Sequence, residues 1–345
     1  MRNNMSEKKT PFITVTVLCY NYGHLLPRAL EAIAAQTFRD FDLVVINNGS
    51  TDNTQQVFDD FAAAHPDLDA RCVKIDKNIG LPHGRNAGFD AADGEYVMMC
   101  DADDWMDADC LEVLAAKAKE TGADRIVGQY REVGSQGQVL RDRPHAKNPV
   151  RVINGSWHGS IFKRSIIEEN HIRIPEDLFY SEDYCFILNF TVCSKTFCPV
   201  HKTIFNYYFN TDSLTSPKQY DARKRLGDSW NSLVEVCADT AGRADAETAV
   251  QIEYLLLKHY YPALVTLLCQ TSGAETKEVY ALMHKKLLAY FPHYYKNAML
   301  VPWQNGHPLS SRVCCWGMSW VERLHGLWIL QALLRIRRPK KLVRV

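Results

Sequence analysis

The densest chemistry in this 345-residue chain is Asp101-Ala102-Asp103-Asp104-Trp105. Carboxylates crowded this closely repel one another. A hard divalent cation with oxygen ligands would neutralise them and could then carry two neighbouring phosphates. The competing reading is local: acids stabilise helix N-termini, so Asp104 or Asp107 could simply cap a helix beginning near Asp107. A second acidic pair, Glu182-Asp183, opens an apolar segment that reads as a helix to Ser194. It could supply a base or only acids for that helix's first turn.

These groups need a scaffold. Ile13 to Cys19, Asp42 to Ile46, Arg71 to Ile75 and Glu95 to Cys100 read as strands. Helical spacing fills Leu26 to Gln36, Asp52 to Ala64 and His83 to Ala92. Strand–helix alternation predicts a parallel α/β sheet, whose ligands bind at the carboxyl ends of the strands. The residues after Cys19, Ile46, Ile75 and Cys100 are thus the first candidates. A helix over Asp107 to Thr121 and a strand over Asp124 to Val133 follow, then a loop from Gly134 to Pro149. Thr196 to Phe209 reads as one or two strands. Beyond a boundary near 215–220 helices dominate, with Leu255, Leu256, Tyr260, Leu264, Leu267 and Leu268 as an apolar stripe.

Composition narrows the class. Hydrophobic residues form 46% and charged residues 23%, which excludes wholesale disorder. Formal net charge is zero, which argues against nucleic acid as a partner. The 11 cysteines show no zinc or C-x-x-C spacing and read as buried free thiols. No apolar run is long enough for a spanning helix, and no secretory leader is expected. The sequon triplets beginning at Asn48, Asn154 and Asn189 are therefore read as chance, and a cytoplasmic location follows.

Several ordered motifs resemble those of the family 2 glycosyltransferases. Ile13 to Asn21 resembles the opening strand and its Tyr-Asn turn, and Gln36-Thr37-Phe38 the end of the first helix. Ile46-Asn47-Asn48-Gly49-Ser50-Thr51-Asp52 is similar to the nucleotide loop. Asn78-Ile79-Gly80, Arg85-Asn86-Ala87-Gly88 and Gly94-Glu95-Tyr96 come next. Asp101-Ala102-Asp103 matches the D-x-D motif, and Ser181-Glu182-Asp183 the Glu-Asp motif of the acceptor side.

The resemblance implies a GT-A domain over 12–216, after a disordered 1–11. A helical region over 217–300 and an amphipathic, basic segment over 301–345 complete the chain. It implies sugar transfer from a nucleotide-diphosphate donor, with UDP the first choice, to a glycan or lipid-linked hydroxyl with inversion. Mn²⁺ or Mg²⁺ would be held by Asp103 and Asp101, and Asp183 would be the base, with Glu182 as runner-up. Tyr20, Asn21, Asn48, Asn78, Arg85, Asp101 and Ala102 would face the donor. Trp157 and His158 would lie on the acceptor side, where His158 could instead touch the metal. Gly49, Gly80 and Gly88 are expected at tight turns or close helix–strand contacts.

Two departures bear on this. Asn47 and Asn48 stand where relatives carry aspartate, which weakens nucleotide recognition. Tyr208 stands where relatives carry arginine, leaving Lys202, Lys218 or Arg223 as possible substitutes. These departures keep a non-catalytic scaffold module open as the alternative. A nucleotidyltransferase would need a Gly-rich phosphate loop, and Tyr20-Asn21-Tyr22-Gly23-His24 fills that place. Finally, the Trp- and Leu-rich stretch from Cys314 to Leu334, ending in a basic tail, predicts either peripheral contact with the inner face of the cell membrane or a helix packed on the catalytic domain.

Overall fold

Four buried strands lay the foundation: β1 (Ile13–Cys19), β2 (Phe41–Asn48), β3 (Ala70–Ile75) and β4 (Tyr96–Asp101). They pair in parallel in the order β3-β2-β1-β4. Every residue of β1 and β2 is buried, which is why both are dominated by apolar and β-branched residues. Parallel neighbours need crossovers, and α1 (Leu26–Ala34), α2 (Thr54–Ala64) and α3 (Leu81–Asp90) provide them. All seven elements lie within two residues of the expected bounds. The computed structural model describes residues 10–145, 150–151, 156–176, 178, 182–209, 230–271, 273–303, 307 and 309–336. The expected N-terminal disorder thus falls mostly outside the described residues, as do the boundary near 215–220 and the tail from 337.

The second half of the sheet is mixed, beyond the stretch whose alternation predicts parallel strands. It contains β5 (Trp105–Met106), β6 (Arg125–Val133), β7 (Val139–Arg143), β8 (Ser160–Lys163) and β9 (Phe197–Tyr208). The order runs β4-β8-β6-β9-β5, with β7 hydrogen-bonded to β6. Strand β8 is antiparallel to both β4 and β6, whereas β6 and β9 are parallel. The expected loop from Gly134 to Pro149 holds β7, joined to β6 by a turn in which Gly137 takes φ 76°. No residue of β7 is buried, so it carries no hydrophobic alternation to betray it. Helix α4 (Cys110–Thr121) starts later than expected. Neither Asp104 nor Asp107 caps it: Asp107 instead accepts from Arg131 Nη2 at 2.6 Å and Asn206 Nδ2 at 2.9 Å. A short α5 (Arg164–Glu169) follows β8.

Gly49 meets one of the expected tight turns. Its φ is +73°, and a Cβ there would lie 2.2 Å from the Lys77 carbonyl carbon and 2.3 Å from Asn78 N. Gly49→Ala therefore combines left-handed strain with a backbone clash, and a loss of roughly 3 kcal/mol is expected. Thermal melting checks this; an unchanged midpoint would contradict it.

The chain divides into two units. The first comprises Met1–Pro144, Trp157–Asp177 and Cys193–Phe209; the second comprises His145–Ser156, Leu178–Val192 and Asn210–Val345. The second unit is helical: α6 (Glu182–Cys193), α7 (Trp230–Arg243), α8 (Ala246–Gln270), α9 (Gly273–Tyr290), α10 (Leu309–Arg323) and α11 (Leu327–Ile336). The expected stripe from Leu255 to Leu268 lies on α8 and forms its core. Among the described residues no helix is long and apolar enough to cross a membrane.

Burial on α8 pushes the His259 imidazole down from 6.5 to about 4, helped by Lys258. Between those values the unfolded chain holds a proton that the folded chain does not, so stability falls as pH drops through this window. The effect amounts to at most roughly 3 kcal/mol. His259→Gln should flatten the decline in melting temperature from pH 7 to 4.5; an identical decline would remove His259 as its cause.

Candidate active site

Asp101 is the last residue of β4, in register with Leu18 of β1, at the carboxyl end of the parallel strands. Its backbone oxygen accepts from Asp104 N–H at 3.1 Å, so the chain turns and brings the carboxyls of Asp101 and Asp104 toward one another, while Asp103 is not part of that cluster. Arg85, on α3 and 6% exposed, forms an ion pair with Asp101 Oδ1. The guanidinium lies 4.7 Å from the centre of the Trp157 ring, within cation–π range. His158 enters just before β8, its Nε2 3.3 Å from Asp104 Oδ2 and 3.8 Å from Asp101 Oδ2. The structure thus unites Arg85, Asp101, Trp157 and His158 in the first unit.

The electrostatics follow from this arrangement. Burial opposes ionisation of Asp101, but Arg85 and His158 outweigh it and hold the carboxyl well below the usual range. Burial also opposes charging His158, yet the facing carboxylates of Asp101 and Asp104 raise it to about 10. Asp103 moves the other way, to about 8, through burial and then the charges of Asp104 and Asp101. The site therefore has a negative field that its own cations do not fully balance at Asp103. Asp101, Asp104 and His158 each offer a ligand atom, all within 4.8 Å of one another. With His158 in its neutral form, this oxygen-rich set with one imidazole fits a divalent ion such as Mn²⁺ or Mg²⁺. Asp104 is fully buried and accepts from Tyr208 N–H at 2.8 Å, a role its sequence position did not suggest.

The loops beside this cluster are tied together by asparagines. Asn48 Oδ1 accepts from Ile79 N–H at 3.2 Å, and its Nδ2 donates to Gly80 O at 3.0 Å. Asn78 Oδ1 accepts from Gly80 N–H at 2.8 Å. Asn47 Oδ1 accepts from Ser50 N–H at 3.0 Å. Asn21, at φ 56°, accepts from Thr51 N–H at 2.8 Å. Tyr20 is 40% exposed, and Ala102 is buried.

One cation escaped the sequence reading. Arg28 on α1 places its guanidinium 3.9 Å from the Trp105 ring centre and 4.5 Å from that of Tyr208. It donates to Asp103 O at 2.6 Å. Its target lies 75 residues away, so no local pattern reveals it. Lys202 pairs with Asp109 instead, while Lys218 and Arg223 lie outside the described residues. Glu182 and Asp183 are the acids of the first turn of α6, in the second unit, and Asp183 Oδ1 accepts from Tyr184 N–H at 2.8 Å. Ser181 lies outside the described residues.

Residues 14–207 match the sequence pattern of the family described as Glycosyl transferase family 2. The chain belongs to this family. This family 2 glycosyltransferase is 38% identical over 119 residues to the glycosyltransferase GlyA of Streptococcus pneumoniae serotype 4. That match covers 34% of the chain but only 16% of GlyA. It is 26% identical over 234 residues to TarP, a poly(ribitol-phosphate) β-N-acetylglucosaminyltransferase of Staphylococcus aureus, covering 64% of the chain and 69% of TarP. Among solved structures, S. aureus TarS 1–349 in complex with UDP-GlcNAc superposes with a TM-score of 0.70 at 17% identity. The match spans 96% of this chain and 93% of that one. The fold is GT-A with a helical region on its C-terminal side.

Proposed function

We propose that this glycosyltransferase moves a hexose or N-acetylhexosamine from a UDP-sugar to a hydroxyl of a glycan or lipid-linked acceptor in surface polysaccharide assembly, with inversion. The observation carrying this reading is the Arg85–Asp101–His158–Asp104 cluster at the end of β4. The names of TarP and of the TarS complex support the donor class and the sugar class.

In this reading Asp101 and Asp103 hold Mn²⁺ or Mg²⁺, with Asp104 and His158 as further donors. When bound, the ion supplies Lewis acidity toward the departing diphosphate. Arg85 keeps Asp101 ionised and oriented. Arg28, gripped by Trp105 and Tyr208, provides fixed positive charge toward the same leaving group. Tyr20, Asn21, Asn48 and Asn78 border the nucleotide, and Trp157 stiffens Arg85. Asp183 takes the proton from the acceptor hydroxyl, with Glu182 beside it on α6. The enzyme works at the inner face of the membrane.

The test is UDP release from UDP-glucose, UDP-galactose and UDP-GlcNAc, each with Mn²⁺ and a panel of polyol-phosphate and oligosaccharide acceptors. Acceptor-dependent release from one donor is expected. Metal-dependent UDP binding with no acceptor-dependent release would favour the scaffold alternative. That alternative draws on Asn48, whose amide is committed to the loop at 79–80.

A further inference from the structure

Helix α10 has two unlike faces. Cys315, Met318, Ser319 and Glu322 are buried. Glu322 Oε1 accepts from Tyr260 at 2.5 Å and Tyr280 at 3.1 Å, and its Oε2 from Tyr294 at 2.7 Å. These bonds lock the helix to α8 and α9. The opposite face carries Leu309, Val313, Trp316 and Trp320, exposed by 62%, 49%, 39% and 46%. Their i, i+4, i+7, i+11 spacing makes one continuous stripe. Leu324, Trp328 and Ile329 extend it at 72%, 41% and 68%. The helix thus packs within the second unit and still presents an apolar face.

We propose that this stripe is a docking surface for an anionic lipid bilayer, with the tryptophans at headgroup depth. Three observations favour lipid. The stripe is rich in tryptophan, whose amphipathic ring suits the membrane interface. It sits on helices of 15 and 10 residues, too short to span, the pattern of an in-plane helix. Charge is complementary: residues 309–345 contain eight Arg or Lys and one acid, a formal 8 − 1 = +7, and that acid, Glu322, is on the buried face. The inference goes beyond the proposed reaction, and its read-out needs neither donor nor acceptor, so the two can fail separately.

The experiment is flotation of the full chain with vesicles of phosphatidylcholine and phosphatidylglycerol, against phosphatidylcholine alone. Binding to the anionic vesicles is expected, with the bound fraction falling as salt rises. The variant W316S/W320S/L324S should lose about tenfold or more in partitioning while keeping its melting temperature. Should the variant unfold, brominated acyl chains report on the unaltered chain: they should quench its tryptophan emission in anionic vesicles. Absence of flotation overturns the proposal, as does a folded variant that floats equally well. A concentration-dependent dimer that the variant abolishes, without vesicle binding, would assign the face to a second copy instead.

Discussion

Asp101→Asn is expected to lower turnover by at least about a hundredfold and to cost stability as well. The substitution keeps the shape and removes the charge. Arg85 is 5% exposed on its side chain and would be left without its carboxylate partner. Removing one member of a buried pair typically costs about 3 kcal/mol. His158 loses one of the two carboxylates that raise it, and the proposed ion loses a ligand. The two effects separate by measurement. Melting temperature reports the ion pair, and turnover at a temperature where the variant is still folded reports the chemistry. A folded variant with ordinary turnover would remove Asp101 from the site.

Asp183→Asn should show the opposite balance. Asp183 stands in the first turn of α6, so exchanging acid for amide there removes only a modest favourable interaction with the helix dipole. Stability should change by less than about 1 kcal/mol. As general base, however, its loss should reduce turnover by about a thousandfold. Donor affinity should be unchanged, because the base acts on the acceptor hydroxyl. Unaltered product formation would sink the assignment and turn attention to Glu182, the next acid of the same turn.

What the sequence revealed follows physical range. Strands β1, β2 and β4 are buried and apolar, so each announces itself within a handful of residues. Strand β7 exposes itself, β5 has two residues, and β8 has four; none holds enough of a pattern to be read locally. The switch from a parallel to a mixed sheet was hidden with them. The acidic motif was legible because charge density is a local property. Its partition was not. Asp104 looked like a helix cap, yet it is buried against His158 and the backbone of Tyr208, a residue 104 positions onward. Arg85 was expected on the donor side, and the structure pairs it with the Asp101 carboxylate. Arg28 was silent because a lone arginine on an amphipathic helix resembles any surface residue. Only the fold brings it over Trp105 and Tyr208. The same folding shows why Tyr208 is compatible with a cation there: the aromatic ring holds an arginine that comes from α1.

A metal-assisted nucleotide site at the end of β4 should take up UDP only with its ion. Titration calorimetry of UDP into the full chain, with Mn²⁺ and then with the metal chelated, measures this. Binding that depends on the metal and is lost in Asp101→Asn is expected. Failure of UDP, GDP, CDP and dTDP alike to bind in the presence of Mn²⁺ would contradict it.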